Sequence, residues 1–334
     1  MVANKTSKCV WAYQSAVGTA ELVIATSDSY EFGMYNLACG EWKTPMVNNP
    51  SNPYYSYDSR TPLSTDGEST FPTWKHTFNP TTAQFLAWFL GKPVDNDPTT
   101  VEIEALDTGL TCPITFRVQE DGATVPDNAQ GMDAYCIGLA MTMEKDKSFI
   151  VECEFVFGAL QDIDNYVNLT KDPVMPGDLL TGRYRGNPIV VWDAGVDNHA
   201  LAGTWKAQVV VSQEFEVVAS DEGATQTVYT YKFLKPKIVL YSVVATAAEH
   251  ELWKDYIARK INTDMTIQVK KSDNTSYITF TFSKCRITSM EKTGAKNEGH
   301  YGVITTIEAD SIIGSADWHT EGGITYATHW RDSV

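Results

Sequence analysis

Hydrophobic residues recur in short alternating runs along most of the chain, and turn-forming residues separate these runs. Val, Ile, Thr, Tyr, Phe and Trp fill the runs, whereas Gly, Pro, Asn and Asp stand between them. Alternation with a period of two places one face of a strand on a core, and these residue types favour strands. The pattern therefore predicts a mainly β fold built from many short strands.

Two short helices interrupt the predicted strands at related places. Asn79 followed by Pro80 predicts the start of the first helix, and Gly91 predicts its end. Thr246 and Glu249 form a capping box that predicts the start of the second helix. Apolar residues follow at the same spacing, 167 positions apart: Phe85, Leu86, Phe89 and Leu90, and then Leu252, Trp253, Tyr256 and Ile257. The match indicates an internal repeat.

Further landmarks follow each helix in the same order. A hairpin is predicted for 101–105 with 114–118 and again, 164 positions later, for 265–269 with 278–282. Met-Glu-Lys then precedes a long alternating strand, at 143–145 before 149–157 and at 290–292 before 301–309. These matches predict two diverged copies of one domain. The alternative is two generic β domains that share an order of elements.

The repeat divides the chain into tandem domains at 1–162 and 186–314. Pro and Gly punctuate 163–185, which is predicted to be a linker, and 315–334 is predicted to be a C-terminal arm. The first copy has 17 more residues than the second between its hairpin and Met-Glu-Lys, which predicts an inserted loop. It also carries a long polar loop, 43–71, and such loops are usually functional or disordered.

Aromatic residues in these loops are the candidate contact residues. Tyr54, Tyr55 and Tyr57 lie in the long polar loop, and Trp318 and Trp330 lie in the C-terminal arm. Tyr and Trp offer a large contact area at a low entropic cost, so contact with a neighbouring subunit is expected. The alternative is that the loop and the arm fold back on their own chain.

Charge and composition narrow the possible functions. The formal net charge of -16 makes binding to duplex nucleic acid unexpected, because that binding needs a basic face. No apolar stretch has the length of a signal peptide or a membrane span, so a soluble protein without a membrane partner is expected. The six cysteines are widely spaced, which favours buried free thiols over a zinc site or a disulfide framework.

Motifs that carry chemistry are missing from the sequence. It contains no phosphate-binding glycine loop, nucleophile elbow or zinc-protease motif, and its six histidines are isolated. The best metal candidate is 193–199, with Asp193, Asp197, Asn198 and His199, but it lacks the closing Glu of a calcium loop. A polar turn is therefore the preferred interpretation. We expect a protein that is not an enzyme and that has no cofactor and no metal site.

The order of helix, hairpin, turn and long alternating final strand resembles the tail tube proteins of tailed viruses. The resemblance rests on 135–139 through 143–145 to 149–155, and again on 285–287 through 290–292 to 301–309. It implies a β-sandwich or barrel domain whose rings have inner sheets lining a channel and stack into a tube. Members with one domain usually form hexameric rings, so a duplicated member implies a trimeric, pseudo-hexameric ring.

The resemblance also implies partners and a location. The resemblance implies that the chain assembles with itself and with other tail proteins in the host cytoplasm, and that it ends in the virion tail. The genome would pass through without specific binding, since an acidic wall repels phosphate. The long polar loop, the linker and the arm would bridge rings. Another virion component such as a capsid protein, a carbohydrate-binding or adhesive β module, and an unrecognised enzyme are the alternatives.

Overall fold

The computed structural model describes residues 7–13, 30–31, 54–55, 62–64, 73–80, 89, 101–104, 114–120, 127–157, 159–162, 184–219, 226–233, 235–244, 246–270, 277–296 and 300–316. The first strands are β1 (Ser7–Tyr13), β2 (Tyr30–Glu31), β3 (Tyr54–Tyr55), β4 (Pro62–Ser64), β5 (Thr73–Phe78), β6 (Val101–Glu104), β7 (Ile114–Glu120), β8 (Asp127–Glu144), β9 (Ile150–Val156) and β10 (Ala159–Asp162). The remaining elements are β11 (Ile189–Trp192), β12 (His199–Ala200), β13 (Thr204–Ala219), β14 (Gln226–Phe233), β15 (Lys237–Val243), α1 (Ala247–Ile257), β16 (Thr263–Lys270), β17 (Tyr277–Lys296), β18 (His300–Glu308) and β19 (Ser311–Ala316).

The predicted mainly β fold is confirmed. Seventeen of the described strands form one network of antiparallel pairs, and β3 pairs with β4 in a separate two-stranded sheet. The buried apolar side chains form one hydrophobic cluster that includes Phe149 and Phe280, whose ring centroids are 6.2 Å apart. Burial of these side chains is the main force that holds the sheets together. The architecture is that of a β-sandwich.

The strands fall into two sets whose members pair in the same order. In the first set β2, β1, β7, β8 and β10 are successive neighbours, and in the second set β12, β11, β16, β17 and β19 are. The long strands β8 and β17 then continue into another sheet, where they pair with β9 and β18. These strands in turn pair with β5 and β15. Each strand of the first set therefore has a counterpart in the second.

Each long strand bends at a residue with a left-handed backbone. Asp133 of β8 has φ 49°, and Lys284 of β17 has φ 52°. Both residues lie where the long strand has one residue more than its partner, β7 or β16. Such a bulge bends a strand and increases its twist. The two bends carry each long strand from one sheet into the next.

A second irregularity follows each bend at the same distance. In β8 the register with β9 shifts between Cys136 and Gly138, and in β17 the register with β18 shifts between Ile287 and Ser289. These positions are 151 residues apart, which is also the separation of the two left-handed residues. The second half of β17 therefore corresponds to the second half of β8 residue by residue.

The structure corrects the first predicted hairpin. Strand β6 pairs with β19, whereas β7 pairs with β1 and β8. The second predicted hairpin, β16 with β17, is confirmed. Alternation identifies a strand but not its partner, and an edge far away in sequence offers the same backbone hydrogen bonds as a near one.

The predicted position of the insertion is also wrong. The connections 121–126 and 271–276, between β7 and β8 and between β16 and β17, have the same length. The additional segment of the first half instead precedes β7 and contains β6, for which the second half has no strand between α1 and β16. The sequence match that placed the insertion had aligned β6 with β16, whereas the strand that corresponds to β16 is β7.

The Met-Glu-Lys landmark does not mark equivalent positions. Met143 lies beyond the last residue pair of β8 and β9, whereas Met290 pairs with Thr305 inside the ladder of β17 and β18. The residue of β8 that corresponds to Met290 is Leu139, which pairs with Cys153. The two Met-Glu-Lys sequences are therefore offset by four residues when β8 and β17 are aligned by their pairing. Because the side chains of a strand alternate between its two faces, an even offset leaves both methionines on the core side.

Helix α1 begins as predicted. Thr246 is its N-cap, and Thr246 and Glu249 form the capping box. Leu252 is buried, whereas Ile257, which was predicted to belong to the apolar stripe, is 64% exposed. Of the first predicted helix, Phe89 is helical, and Asn79 and Pro80 directly follow β5. The rest of that helix lies outside the described residues.

One sheet joins the two sets. Its strands run in the order β5, β9, β8, β13, β15, β18 and β17. A row of directly opposed residues crosses the whole sheet on the face away from the core: Thr77, Glu152, Ala140, Val210, Lys237, Glu308 and Arg286. The ladders on both sides of β13 are therefore continuous.

At one pair of corresponding core positions, the small and the large residue are interchanged between the two sets. A Cβ atom on Gly131 would lie 2.3 Å from two ring atoms of Phe157. The corresponding residues of the second set are Phe282 and Ala309, which are both buried. In each set one of the two residues is small and the other large, but the large residue is Phe157 in the first set and Phe282 in the second.

We predict that Gly131→Phe and Phe157→Ala each destabilise the fold and that combining them restores stability. The first change overfills the site, and the second leaves a cavity that costs about 3–5 kcal/mol. The double variant copies the arrangement of Phe282 and Ala309, so its free energy of unfolding in urea should exceed that of either single variant. Additive losses in the double variant would contradict the correspondence.

Candidate assembly interface

Strand β13 is the element that connects the two sets. On one side it pairs with β15 of its own set, and on the other side Lys206 to Ser212 pair with Glu144 to Gly138 of β8. This contact places β13, which follows β12 of the second set in the chain, beside β8 of the first set. Backbone hydrogen bonds supply the contact, and the alternating side chains supply its register.

A buried carboxylate positions the start of β13. Glu249 is 4% exposed, and its carboxylate accepts hydrogen bonds from the backbone N–H of Gly203 and of Thr246, both at 2.7 Å. Gly203 is needed at this turn because a Cβ atom there would lie 2.0 Å from the carbonyl oxygen of Val243. The N-terminus of α1 thereby holds the residue that precedes β13.

The other end of α1 is tied to β11 and to the turn that follows it. The Trp192 Nε1–H donates to Asp255 Oδ2 at 2.8 Å. Lys260 Nζ lies 2.9 Å from Asp193 Oδ2 and 3.5 Å from Asp255 Oδ2. The hydrogen bond to Asp193 is the main cause that raises the pKa of Lys260 above its ordinary value. These contacts fix the helix against the sheet.

Side chains reinforce the contact between β8 and β13. Gln213 Nε2 donates to the backbone carbonyl of Phe89 at 2.7 Å, which links β13 to the helical segment of the first half. Lys206 Nζ lies 3.6 Å from Glu144 Oε2. The hydrogen bond from Lys147, and then the charges of Lys147 and Lys206, lower the pKa of Glu144, so this carboxylate stays ionised at neutral pH.

The counterpart of the β8 edge has no neighbour in the described part of the chain. Residues 289–295 of β17 correspond to the stretch of β8 that β13 covers, and here β17 pairs only with β18. Leu139 is 1% exposed beneath β13, whereas the corresponding Met290 is only partly buried. Within the described ranges, β17 is therefore the last strand of the joined sheet.

The strand at the opposite end of the sheet is also an edge. Among the described residues, β5 pairs only with β9. Its counterpart β15 pairs on both sides, with β18 and with β13. The first set thus lacks, in the described residues, the strand that corresponds to β13. A sheet whose end strands lack a second neighbour, as these do within the part of the chain that the structure describes, can be extended by further strands.

The face of this sheet that points away from the core carries charges of both signs. Its basic residues are mostly paired: Lys75 with Glu154 at 3.4 Å, Lys206 with Glu144, and Arg286 with Glu308 at 2.5 Å. Surface pairs of this kind add little stability, but each one neutralises a positive charge. The face therefore offers little positive potential to a polyanion.

The predicted contact residues are only partly described. Tyr54 and Tyr55 form β3, which pairs with β4 within the long polar loop. Tyr57, Trp318 and Trp330 lie outside the described residues. No other described strand pairs with β3 or β4, so this ribbon is separate from the main sheet.

The candidate metal site is a turn held by a lysine. Ligand atoms of Asp193, Asp197 and His199 lie within 4.8 Å of one another. The buried Asp193 carboxylate already pairs with Lys260, and Asn198 Oδ1 accepts a hydrogen bond from the backbone N–H of Gly195 at 2.9 Å. Because these contacts engage two of the candidate ligands, we interpret the segment as a structural turn.

Three of the cysteines are buried free thiols, as predicted. They are Cys136, Cys153 and Cys285. Burial raises the pKa of Cys285 to about 12, and burial is also the main cause that raises the pKa of Cys153. These side chains therefore act as small core residues and not as nucleophiles. The side chains of the other cysteines lie outside the described residues.

A scan against protein-family models and a search of curated proteins both returned no match to this chain. Among the described residues, no helix is long and apolar enough to cross a membrane.

His76 is buried at the position that Leu240 occupies in the second set. It is 2% exposed, and its ring stacks on Phe78 with centroids 5.2 Å apart. Burial lowers the pKa of His76 from 6.5 to about 3. Its neutral form is therefore the form compatible with the folded state at neutral pH.

We predict that His76 makes the fold sensitive to acid. Between pH 6.5 and about 3 the unfolded chain binds a proton that the folded chain excludes, so His76 disfavours folding increasingly as the pH falls. His76→Leu should gain stability relative to the natural chain by about 1.4 kcal/mol for each pH unit below 6.5. Urea unfolding at several pH values measures this difference, with the exposed His250→Gln as the control. An unchanged difference from pH 7 to 4 would contradict the role of His76.

Proposed function

We propose that this chain is a structural subunit made of two diverged copies of one β domain and that it assembles into rings of a tail tube. The observation that carries the proposal is that, among the described residues, 289–295 of β17 pair only with β18, although they correspond to the stretch of β8 that β13 covers within the chain. A contact that joins the two copies inside one chain can join successive chains in the same manner.

The duplication is supported by matched irregularities. Pairing order, two bulges and a left-handed residue recur at corresponding places in β8 and β17. Trp11 and Trp192 occupy the same place in the ladders of β1 and β11. Bulges and left-handed residues are specific features of a fold, so their recurrence favours a common origin over two generic β domains.

The type of contact is compatible with a ring. The edge of β8 and the outer side of β13 are different surfaces, so the contact is heterologous, and heterologous contacts generate closed rings or open filaments. Three chains, each contributing two copies, would form a ring with pseudo-sixfold symmetry. If each copy supplies four strands, a wall of about 24 strands spaced ~4.8 Å apart is about 115 Å in circumference.

The open face of the joined sheet suits the wall of a channel. Paired basic residues and the overall negative charge give a surface that does not retain phosphate groups. A viral genome could then pass without specific binding, and the subunit would need neither a cofactor nor catalysis. The long polar loop, with Tyr54, Tyr55 and Tyr57, is the element we assign to contacts between stacked rings.

The proposal predicts that the purified chain forms particles of three 37.0 kDa subunits, or tubes built from them. Proline removes a backbone donor from the edge strand. Successive N–H groups of β17 point alternately toward and away from β18, so one of Glu291 and Lys292 directs its N–H to the edge. Replacing that residue by proline should reduce the assembly to monomers. Sedimentation velocity measures the mass, and thermal unfolding checks that the fold is kept.

The matched control is Asp197→Pro, in an exposed turn away from the edge. A chain that stays monomeric at all concentrations would contradict the proposal. An assembly that survives both edge prolines would remove β17 from the interface.

A further inference from the structure

Resting on the proposed function, we infer that one face of α1 and the neighbouring residues of β17 form a docking surface for a second copy of this chain. This surface, which we call the helix–edge surface, consists of Trp253, Tyr256, Ile257, Met290 and Lys292. The proposed function gives the second copy a backbone ladder along β17. The helix–edge surface adds side-chain contacts on the core side of that ladder.

Three apolar side chains of α1 lie on one face of the helix. Tyr256 and Ile257 follow Trp253 by three and four residues, a spacing that places all three on the same side. The rings of Trp253 and Tyr256 are in contact, with centroids 5.8 Å apart. Both rings are only half-buried and Ile257 is exposed, whereas Leu252 is buried in the core. Another face of α1 therefore attaches the helix to its own core.

Lys292 joins the Trp253 face of α1 to β17. Its Nζ lies 4.7 Å from the centroid of the Trp253 ring. Side chains two residues apart in a strand share a face, and Met290 packs on the core, so Lys292 also points to the core side of β17. Attraction between a cation and an aromatic ring becomes stronger when water is removed. A partner can therefore cover Lys292 without leaving a buried charge unpaired.

The corresponding strand residues of the first half are covered within the chain. Leu139 and Met141 of β8 correspond to Met290 and Lys292 of β17, and both are buried beneath β13. Met290 is only partly buried, and Lys292 is exposed. Pairing with β13 thus buries positions that are uncovered in the second half.

The helix of the first half shows the same difference. Phe89 corresponds to Tyr256 by the spacing of the two helices, 167 positions apart. Phe89 is fully buried, and its backbone carbonyl accepts the hydrogen bond from Gln213 of β13. Within the chain, the second half therefore covers both the strand and the helix of the first. This internal contact is the reason to assign a second copy of the chain to the equivalent surface of the second half.

Ile257→Arg tests the helix–edge surface. Arginine is a good helix former, and its charge is favourable at the C-terminus of a helix, so the fold should be kept. A charge inside a covered apolar contact should raise the concentration needed for assembly by about tenfold or more. Sedimentation velocity over a concentration series measures this shift, and thermal unfolding checks the fold.

The matched control is Ile189→Arg. Ile189 is also an exposed isoleucine, but it lies at the start of β11, away from α1 and β17 in the order of the strands. The residue of β1 that corresponds to it is Lys8, so a basic side chain is suited to this position. Ile189→Arg should assemble at the same concentration as the natural chain.

A photo-reactive residue identifies what covers the surface. With p-benzoylphenylalanine in place of Ile257, illumination of the assembled protein should join two chains covalently. Mixing isotopically labelled and unlabelled chains distinguishes bonds between chains from bonds within one chain, and mass spectrometry of the peptides locates the attachment point. The same photo-reactive residue in place of Ile189 should join no chains.

These experiments separate the inference from the proposed function. Rings that form at an unchanged concentration with Ile257→Arg, or cross-links from position 257 that stay within one chain, would overturn the helix–edge surface and leave the ring intact. A natural chain that stays monomeric at all concentrations would overturn both.

Discussion

The antiparallel ladder between β8 and β13 is the contact on which the rest of the molecule depends. It joins two sets of strands into one sheet through backbone hydrogen bonds, and buried side chains of both sets, including Leu139, Met141, Ala207 and Val209, form one core beneath it. The residues that hold β13 in place are not at the ladder itself. Glu249, through Gly203 and the N-terminus of α1, sets where the strand begins. A helix that is peripheral to the sheet thereby determines how the two halves meet.

The bends of β8 and β17 explain how each half builds a sandwich from few strands. A bulge at a residue with a left-handed backbone, Asp133 in β8 or Lys284 in β17, bends the long strand. One part of the strand then forms backbone hydrogen bonds in one sheet, and the other part forms them in the next sheet. The same device leaves the second half of β17 as an edge that repeats the β8 edge. If the proposed function is correct, assembly would result from duplicating a domain whose own edge was already an interface.

Local features of the fold were predictable from the sequence, whereas pairing was not. The capping box of α1, the hairpin of β16 and β17, and the alternating burial of β9 follow from residue types and spacing. The partner of β6 did not, because strand alternation carries no information about which edge a strand will find. The double role of β13 was also missed, since its run from Thr204 to Ala219 has the alternating pattern of any strand with one face on a core. The residues that establish the correspondence, Asp133 and Lys284, differ in type, and only their backbone conformation relates them.

The central claim is that two equivalent β domains in one chain close into a ring through the same edge contact that joins them internally. Negative-stain electron microscopy of the purified protein, over a range of concentration and salt, tests this claim most directly. The account predicts rings or tubes whose end views have three strong and three weaker features, as three chains of two related domains require. Class averages with twofold symmetry, or single particles of one chain at high concentration, would contradict it.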